Sequence, residues 1–173
     1  MQPEYLYKRG MKLSRYTDYA LRVLIHLAAH DNELASIGRI ATRYAISKDH
    51  LMKVVQDLGR AGFVETVRGR NGGLRLARPA AQINIGELVR HTEGGFDLVE
   101  CGDCVIAPAC GLPRVLAEAT RAFLAALDRY SVADLANRPA DLRGLFALRD
   151  TQAPVPEEVL AADGISMSEP SRD

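Results

Sequence analysis

Apolar residues recur at helical spacing in SRYTDYALRVLIHLAAH, where Tyr16, Ala20, Val23, Leu24 and Leu27 share one face. Ser14 stands where an N-cap is needed, so the stretch predicts an amphipathic first helix. After the polar break Asp31-Asn32-Glu33, SIGRIATRYA predicts a short second helix, and Ser47 is placed to cap a third, SKDHLMKVVQDLGRAG, across a tight turn. In that third helix Leu51, Val54, Val55 and Leu58 form the inward stripe. Lys48, His50, Lys53 and Gln56 fall mostly off it, and Gly62 is placed to end the helix.

The period then changes. FVETVRGRNGGLRLAR reads as two β-prone runs flanking Asn71-Gly72, a dipeptide suited to a two-residue hairpin turn. INIGELVRHTE predicts another short helix, with Ile85, Leu88 and Val89 available to pack beneath the ribbon. Pro113 favours the first turn of a long helix, PRVLAEATRAFLAALDRY, with Leu112 leading into it. Leu112, Leu116, Ala119, Phe123, Ala126 and Tyr130 alternate by four and three, a heptad seam that predicts a helix crossing its twin in a homodimer. One face of an intrachain core is the alternative reading of the same spacing. Ser131 caps a brief helix, VADLA, before Pro139. The remainder, with APVPEEV and SMSEPSRD, is rich in Pro, Ser and acidic residues and predicts a tail that is mobile from about residue 150.

Three helices followed by a basic two-stranded ribbon is the winged helix-turn-helix order. The expected fold is therefore mainly α with a small β-hairpin wing and a long dimerisation helix. Charge sharpens this picture, because the net formal charge of zero conceals a division. Residues 1–92 hold 15 Lys and Arg against 8 Asp and Glu, a net of +7, whereas residues 93–173 hold 7 against 14, a net of −7. A basic N-terminal half suits a polyanion, and double-stranded DNA is the obvious one. Ser47, Lys48, His50 and Lys53 are the candidates for the major groove, with Arg68, Arg70 and Asn71 on the wing; Arg75 and Arg78 add to the ribbon's charge. A winged helix that contacts protein instead is the other reading of the same charges. The chain has no apolar run of about 18 residues, so no transmembrane helix is expected, and a cytoplasmic protein is.

No phosphate loop, nucleophile elbow or paired-carboxylate motif occurs, which argues against an enzyme. His26 and His30 are four apart, but no third ligand joins them in a recognisable motif, and they read as ordinary helix residues. The distinctive chemistry lies in CGDCVIAPAC, which holds all three cysteines of the chain. An odd, clustered set cannot complete an intrachain disulfide framework and suits a reducing compartment. Zinc sites usually pair two close ligands with a second close pair, and none follows here, so the spacing favours an iron-sulfur cluster over zinc. A thiol redox switch and inert cysteines remain as further readings.

Residues 11 to about 137 resemble the iron-sulfur winged-helix transcriptional repressors, and within them the nitric-oxide-sensing branch. The resemblance is carried by MKLSRYTDYALRVLIHLA, ISKDHLMKVVQDLGRAGFV, VRGRNGGLRLARP, INIGELVRHTE, CVIAPACGLPRVL and FLAALDRYSVADL, in that order. It implies a homodimeric repressor with one cluster per subunit on Cys101, Cys104 and Cys110, and nitric oxide as the signal that loosens the dimer from its operator. Some relatives add a histidine three positions after the last cysteine; Pro113 stands there and cannot ligate. In others an aspartate of the first helix, from the partner subunit, is the fourth ligand, and the matching position is Asp18. The resemblance implies [4Fe-4S] first and [2Fe-2S] as the alternative, since CGDC spaces its cysteines more tightly than the family usually does. A relative answering to oxygen, iron or cluster status, or a zinc- or thiol-based regulator, is the alternative function. The implied organisation is a DNA-binding domain over 11–92, a cluster loop over 93–112, a dimerisation helix with a short following helix over 113–137, and a mostly mobile tail over 138–173. Residues 1–10 precede the resemblance.

Overall fold

Ser14 caps the first helix of the computed structural model, its hydroxyl accepting from the Thr17 amide at 3.2 Å at the start of α1 (Arg15–Ala29). The structure describes residues 12–151 apart from 32, 71, 97 and 100. Ala20, Val23, Leu24 and Leu27 of α1 are buried as their spacing requires. Around them pack α2 (Ile37–Tyr44) and α3 (Lys48–Arg60). The turn between these two helices uses Ala45 in the left-handed region, φ 53°, a conformation that costs a non-glycine residue about 1 kcal/mol. Ile46 then re-enters the core, its amide donating back to the Ala41 carbonyl. At its other end α3 stops as predicted. Gly62 takes φ +76°, its amide donates to the Gly59 carbonyl, and the Phe63 amide donates to that of Leu58.

Strands β1 (Val64–Val67) and β2 (Gly73–Leu76) pair antiparallel, Val64 opposite Leu76 and Val67 opposite Gly73. Residues 68–72 therefore lie between the paired strands, whereas a two-residue turn at Asn71-Gly72 would pair residues 70 and 73. The register is held from outside the hairpin: Leu74 exchanges backbone hydrogen bonds with Ala35 at 2.8 and 3.0 Å, and its side chain is buried. Pairing through Asn71-Gly72 would shift β2 by three positions, an odd number that turns Leu74 to the opposite face. Within the connection Gly69 takes φ +120°, and its carbonyl accepts from the Gly72 amide at 3.0 Å. Gly72 is needed for close approach, because a Cβ there would lie 2.2 Å from the Val67 carbonyl oxygen. Asn71 lies outside the described residues.

A 3-10 turn at Ala80–Gln82 leads into α4 (Ile85–Glu93), whose Asn84 cap accepts from the Glu87 amide. Ile85, Leu88 and Val89 are buried in the same core as Val64 and Leu74 of the ribbon, and α4 lies against α1 and α5. Helix α5 (Leu112–Leu127) starts on Pro113 in its first turn, and none of its sixteen residues is buried. Ser131 and Asp134 form a reciprocal capping box on α6 (Val132–Leu135). The expectation of a mostly mobile tail from 138 is corrected by α7 (Pro139–Thr151). Phe146 is buried there against the rings of His26, His30 and Tyr44, at 4.8, 5.7 and 5.6 Å, and Arg143 donates to the Ala29 carbonyl at 2.8 Å. The expected onset of mobility near residue 150 concerns residues 152–173, which lie outside the described ones. Among the described residues no helix is long and apolar enough to cross a membrane.

Candidate nucleic-acid interface and cysteine loop

Burial of Leu51, Val54, Val55 and Leu58 fixes which way α3 faces. Lys48, His50 and Lys53 are consequently exposed together. Ser47 occupies the cap position, yet its side chain makes no capping bond, which leaves the hydroxyl available at the helix N-terminus. On the wing, the arginines divide into two kinds. Arg75 pairs with Glu65, while Arg78 donates twice to Glu87, at 3.0 and 2.9 Å, and lies 5.3 Å over the Phe63 ring. These two brace the ribbon. Arg68 and Arg70 sit exposed on the connecting loop with no ion-pair partner among the described residues, as a phosphate contact requires.

The cysteine loop is a succession of short turns. The Cys104 amide donates to the Cys101 carbonyl, the Ala107 amide to that of Cys104, and a 3-10 turn at Ala107–Ala109 brings in Cys110, one residue before the cap of α5. All three thiols are free, Cys104 exposed and the others half-buried. Val105 and Ile106 between them are 93% and 60% exposed, unusual for such side chains. Asp18 is half exposed on α1 and ion-paired with Arg22 at 2.9 Å. Among the described residues of the single chain, no three His, Cys, Asp or Glu side chains come together as a metal-binding group, so the candidate ligands are not gathered at one point. The donor set nevertheless fits an iron-sulfur cluster. It consists of unpaired thiols on an exposed loop, and a four-iron cluster would offer a separate iron to each thiolate rather than one shared ion.

An open groove of about 340 Å³ runs between α5 and the segment after α4, lined by Leu13, Phe96, Leu98, Phe123 and Leu127 among others. Sequence patterns did not reveal what fastens α5 to the DNA-binding part. Arg90 of α4 donates to both oxygens of Asp128, at 2.7 and 2.6 Å, and this guanidinium holds the Asp128 carboxyl below the usual carboxylate range. Asn84 adds a bond to the Asp128 carbonyl at 2.7 Å. A Cβ on Gly86 would strike the Asp128 carboxylate at 2.0 Å, which explains the glycine. The clasp joins single charges thirty-eight positions apart, a pairing that no local pattern in the sequence marks.

Residues 13–138 match the family model Rrf2, described as an iron-dependent transcriptional regulator. Over 146 residues the chain is 53% identical to the HTH-type transcriptional regulator NsrR of Bacillus subtilis strain 168, an alignment spanning 81% of this chain and 100% of that one. Among solved structures it is similar to T. potens IscR, with a TM-score of 0.62 and 27% identity over 74% of this chain and 88% of that one. It is also similar to CymR, the global cysteine regulator of B. subtilis, with a TM-score of 0.58 and 28% identity over 74% and 98% of the two chains.

Proposed function

Because the chain belongs to the Rrf2 family of transcriptional regulators, DNA-binding proteins rather than enzymes, we propose that it is a homodimeric repressor released from its operator by nitric oxide. The sensor is an iron-sulfur cluster, read as [4Fe-4S], held by Cys101, Cys104 and Cys110 of one subunit and Asp18 of the partner subunit. One observation carries this reading: three free thiols on an exposed loop lead directly into a sixteen-residue helix none of whose residues is fully buried, although Leu124 and Leu127 rest against the core of their own chain. A helix so unburied needs a partner, and its seam residues Leu112, Phe123 and Tyr130 are 49%, 37% and 48% exposed. A second copy covering α5, Val105 and Ile106 places the loop at the junction of the two subunits.

When bound, the cluster supplies iron that nitric oxide can reach. The protein supplies the rest. The three cysteines anchor the loop ahead of α5, and Asp18, when engaged across the junction, ties the partner's first helix to it. When not so engaged, the Asp18 carboxylate has Arg22 as its partner, so both arrangements have a satisfied charge. The Arg90–Asp128 clasp joins α5 to α4 and makes a shift of the dimer a shift of the DNA-binding part. Two recognition helices must meet half-sites about one helical turn, roughly 34 Å, apart, so a modest change in dimer geometry changes affinity. A difference of about 1–3 kcal/mol between the two geometries gives about 5- to 150-fold regulation.

Anaerobic purification tests the cofactor. Coloured protein containing iron and acid-labile sulfide is expected, and iron per subunit separates [4Fe-4S] from [2Fe-2S]. Colourless protein that binds zinc or cycles between thiol and disulfide would replace this reading with the zinc- or thiol-based one. For the wing, Arg70→Ala is expected to weaken operator binding across sequences and to lower the salt slope by about one unit. An unchanged salt slope in a mobility-shift series would remove Arg70 from the interface.

A further inference from the structure

The recognition helix ends on a carboxylate that two other helices share. Asp57 lies in the last turn of α3, where a negative charge opposes the helix dipole, so local preference does not account for it. Its Oδ2 accepts from the Tyr16 hydroxyl of α1 at 2.9 Å and lies 2.8 Å from Nε2 of His91 on α4. Burial first, and then the bond and charge of Asp57, push the Tyr16 phenol up to about 12, with Arg60 opposing. The His91 ring also lies 5.8 Å from Phe63, which leads into β1 and carries the Arg78 guanidinium. One carboxylate oxygen thus meets α1 and α4, and through His91 the base of the wing.

The start of α1 is tied to the same neighbours. The Ser14 amide donates to Glu93 at 2.8 Å, and the Thr17 hydroxyl donates to that of Thr92 at 2.8 Å. Asp18 is the next residue. We propose that Tyr16 and His91 are positioning residues that set the tilt of the recognition helix through Asp57, and that Tyr16 carries the engagement of Asp18 to it. The second half rests on the cluster reading above.

Geometry gives the node leverage. Asp57 is nine residues beyond Lys48, about 14 Å at 1.5 Å per residue, so a tilt of about 5° pivoting at Asp57 moves the DNA-facing end by about 1 Å. Hydrogen bonds to bases tolerate only a few tenths of an ångström. The buried stripe of α3 is apolar and fixes which face turns inward. A directional bond at one end can fix the tilt, which apolar packing specifies less sharply.

The test compares wild type, Tyr16→Phe, Asp57→Asn and His91→Gln as anaerobic full-length proteins. Visible spectrum, thermal midpoint and operator affinity are measured before and after nitric oxide. Tyr16→Phe should keep the spectrum and its change with nitric oxide, with a midpoint lower by only a few degrees, about 3–6 °C. Its ratio of operator affinities between the two states should fall about 10-fold, the factor carried by one charge-assisted hydrogen bond. Tyr16→Phe with Asp57→Asn should do no more than Asp57→Asn alone, since the Tyr16 hydroxyl acts through that carboxylate. A wild-type ratio in Tyr16→Phe overturns the link to Asp18. If the wild type itself has no visible spectrum, or binds operator equally in both states, the cluster reading fails instead. The preference of untreated protein for operator over unrelated DNA then decides the positioning role: it should fall in Tyr16→Phe and His91→Gln, and unchanged preference in both overturns it.

Discussion

Replacing Cys104 by alanine is expected to abolish the visible absorption of anaerobically purified protein and to weaken operator binding by about 10- to 100-fold. Helical content and thermal midpoint should barely move. The reason lies in where the side chain stands: Cys104 is exposed, its thiol is free, and the hydrogen bonds that shape its turn come from the backbone. Alanine keeps that backbone and removes only the thiolate. A structural cysteine would behave in the opposite way, leaving colour untouched and costing stability through lost packing. Absorbance, circular dichroism and a mobility shift on one preparation distinguish the two. Unaltered colour and DNA binding would return Cys104 to the inert reading.

Replacing Phe123 by aspartate should convert the dimer to a monomer and reduce operator affinity by more than about 100-fold, because the energetic link between half-sites is lost. Phe123 is 37% exposed in the single chain and lines the groove beside Leu98 and Leu127. A second copy crossing α5 would bury it. Two carboxylates would then be desolvated near one another, an arrangement costing several kcal/mol, roughly 3 or more. The intrachain-core reading of the heptad seam makes a different prediction, namely unfolding. Light scattering with a thermal melt separates a folded monomer from a destabilised chain; a folded dimer of normal affinity would remove Phe123 from the subunit interface.

Much of the fold was legible because its signals are local. Ser14, Ser131 and Gly62 end or begin helices through bonds to residues within a few positions, and the stripes of α1 and α3 follow from spacing alone. What escaped depends on distant partners. The wing's register is held by Ala35, thirty-nine positions before Leu74, and outranks the preference of Asn71-Gly72 for a tight turn. Helix α7 docks because Phe146 finds His26, His30 and Tyr44, which no composition count reveals. For the same reason charge alone could not separate the committed Arg75 and Arg78 from the open Arg68 and Arg70. In the candidate site the cysteines announced themselves by crowding. Asp18 entered only through resemblance, and a single chain offers its carboxylate Arg22 rather than the cysteine loop. A ligand set divided between two copies is not legible in one.

The claim that cluster state sets operator affinity is tested most directly by adding nitric oxide stepwise to the anaerobic protein on labelled operator DNA. Visible absorbance and fluorescence anisotropy are read from the same sample. Loss of the cluster's absorbance and release of the DNA should advance together, and Cys104→Ala should show neither change. Operator binding that persists undiminished after the absorbance has gone would contradict it.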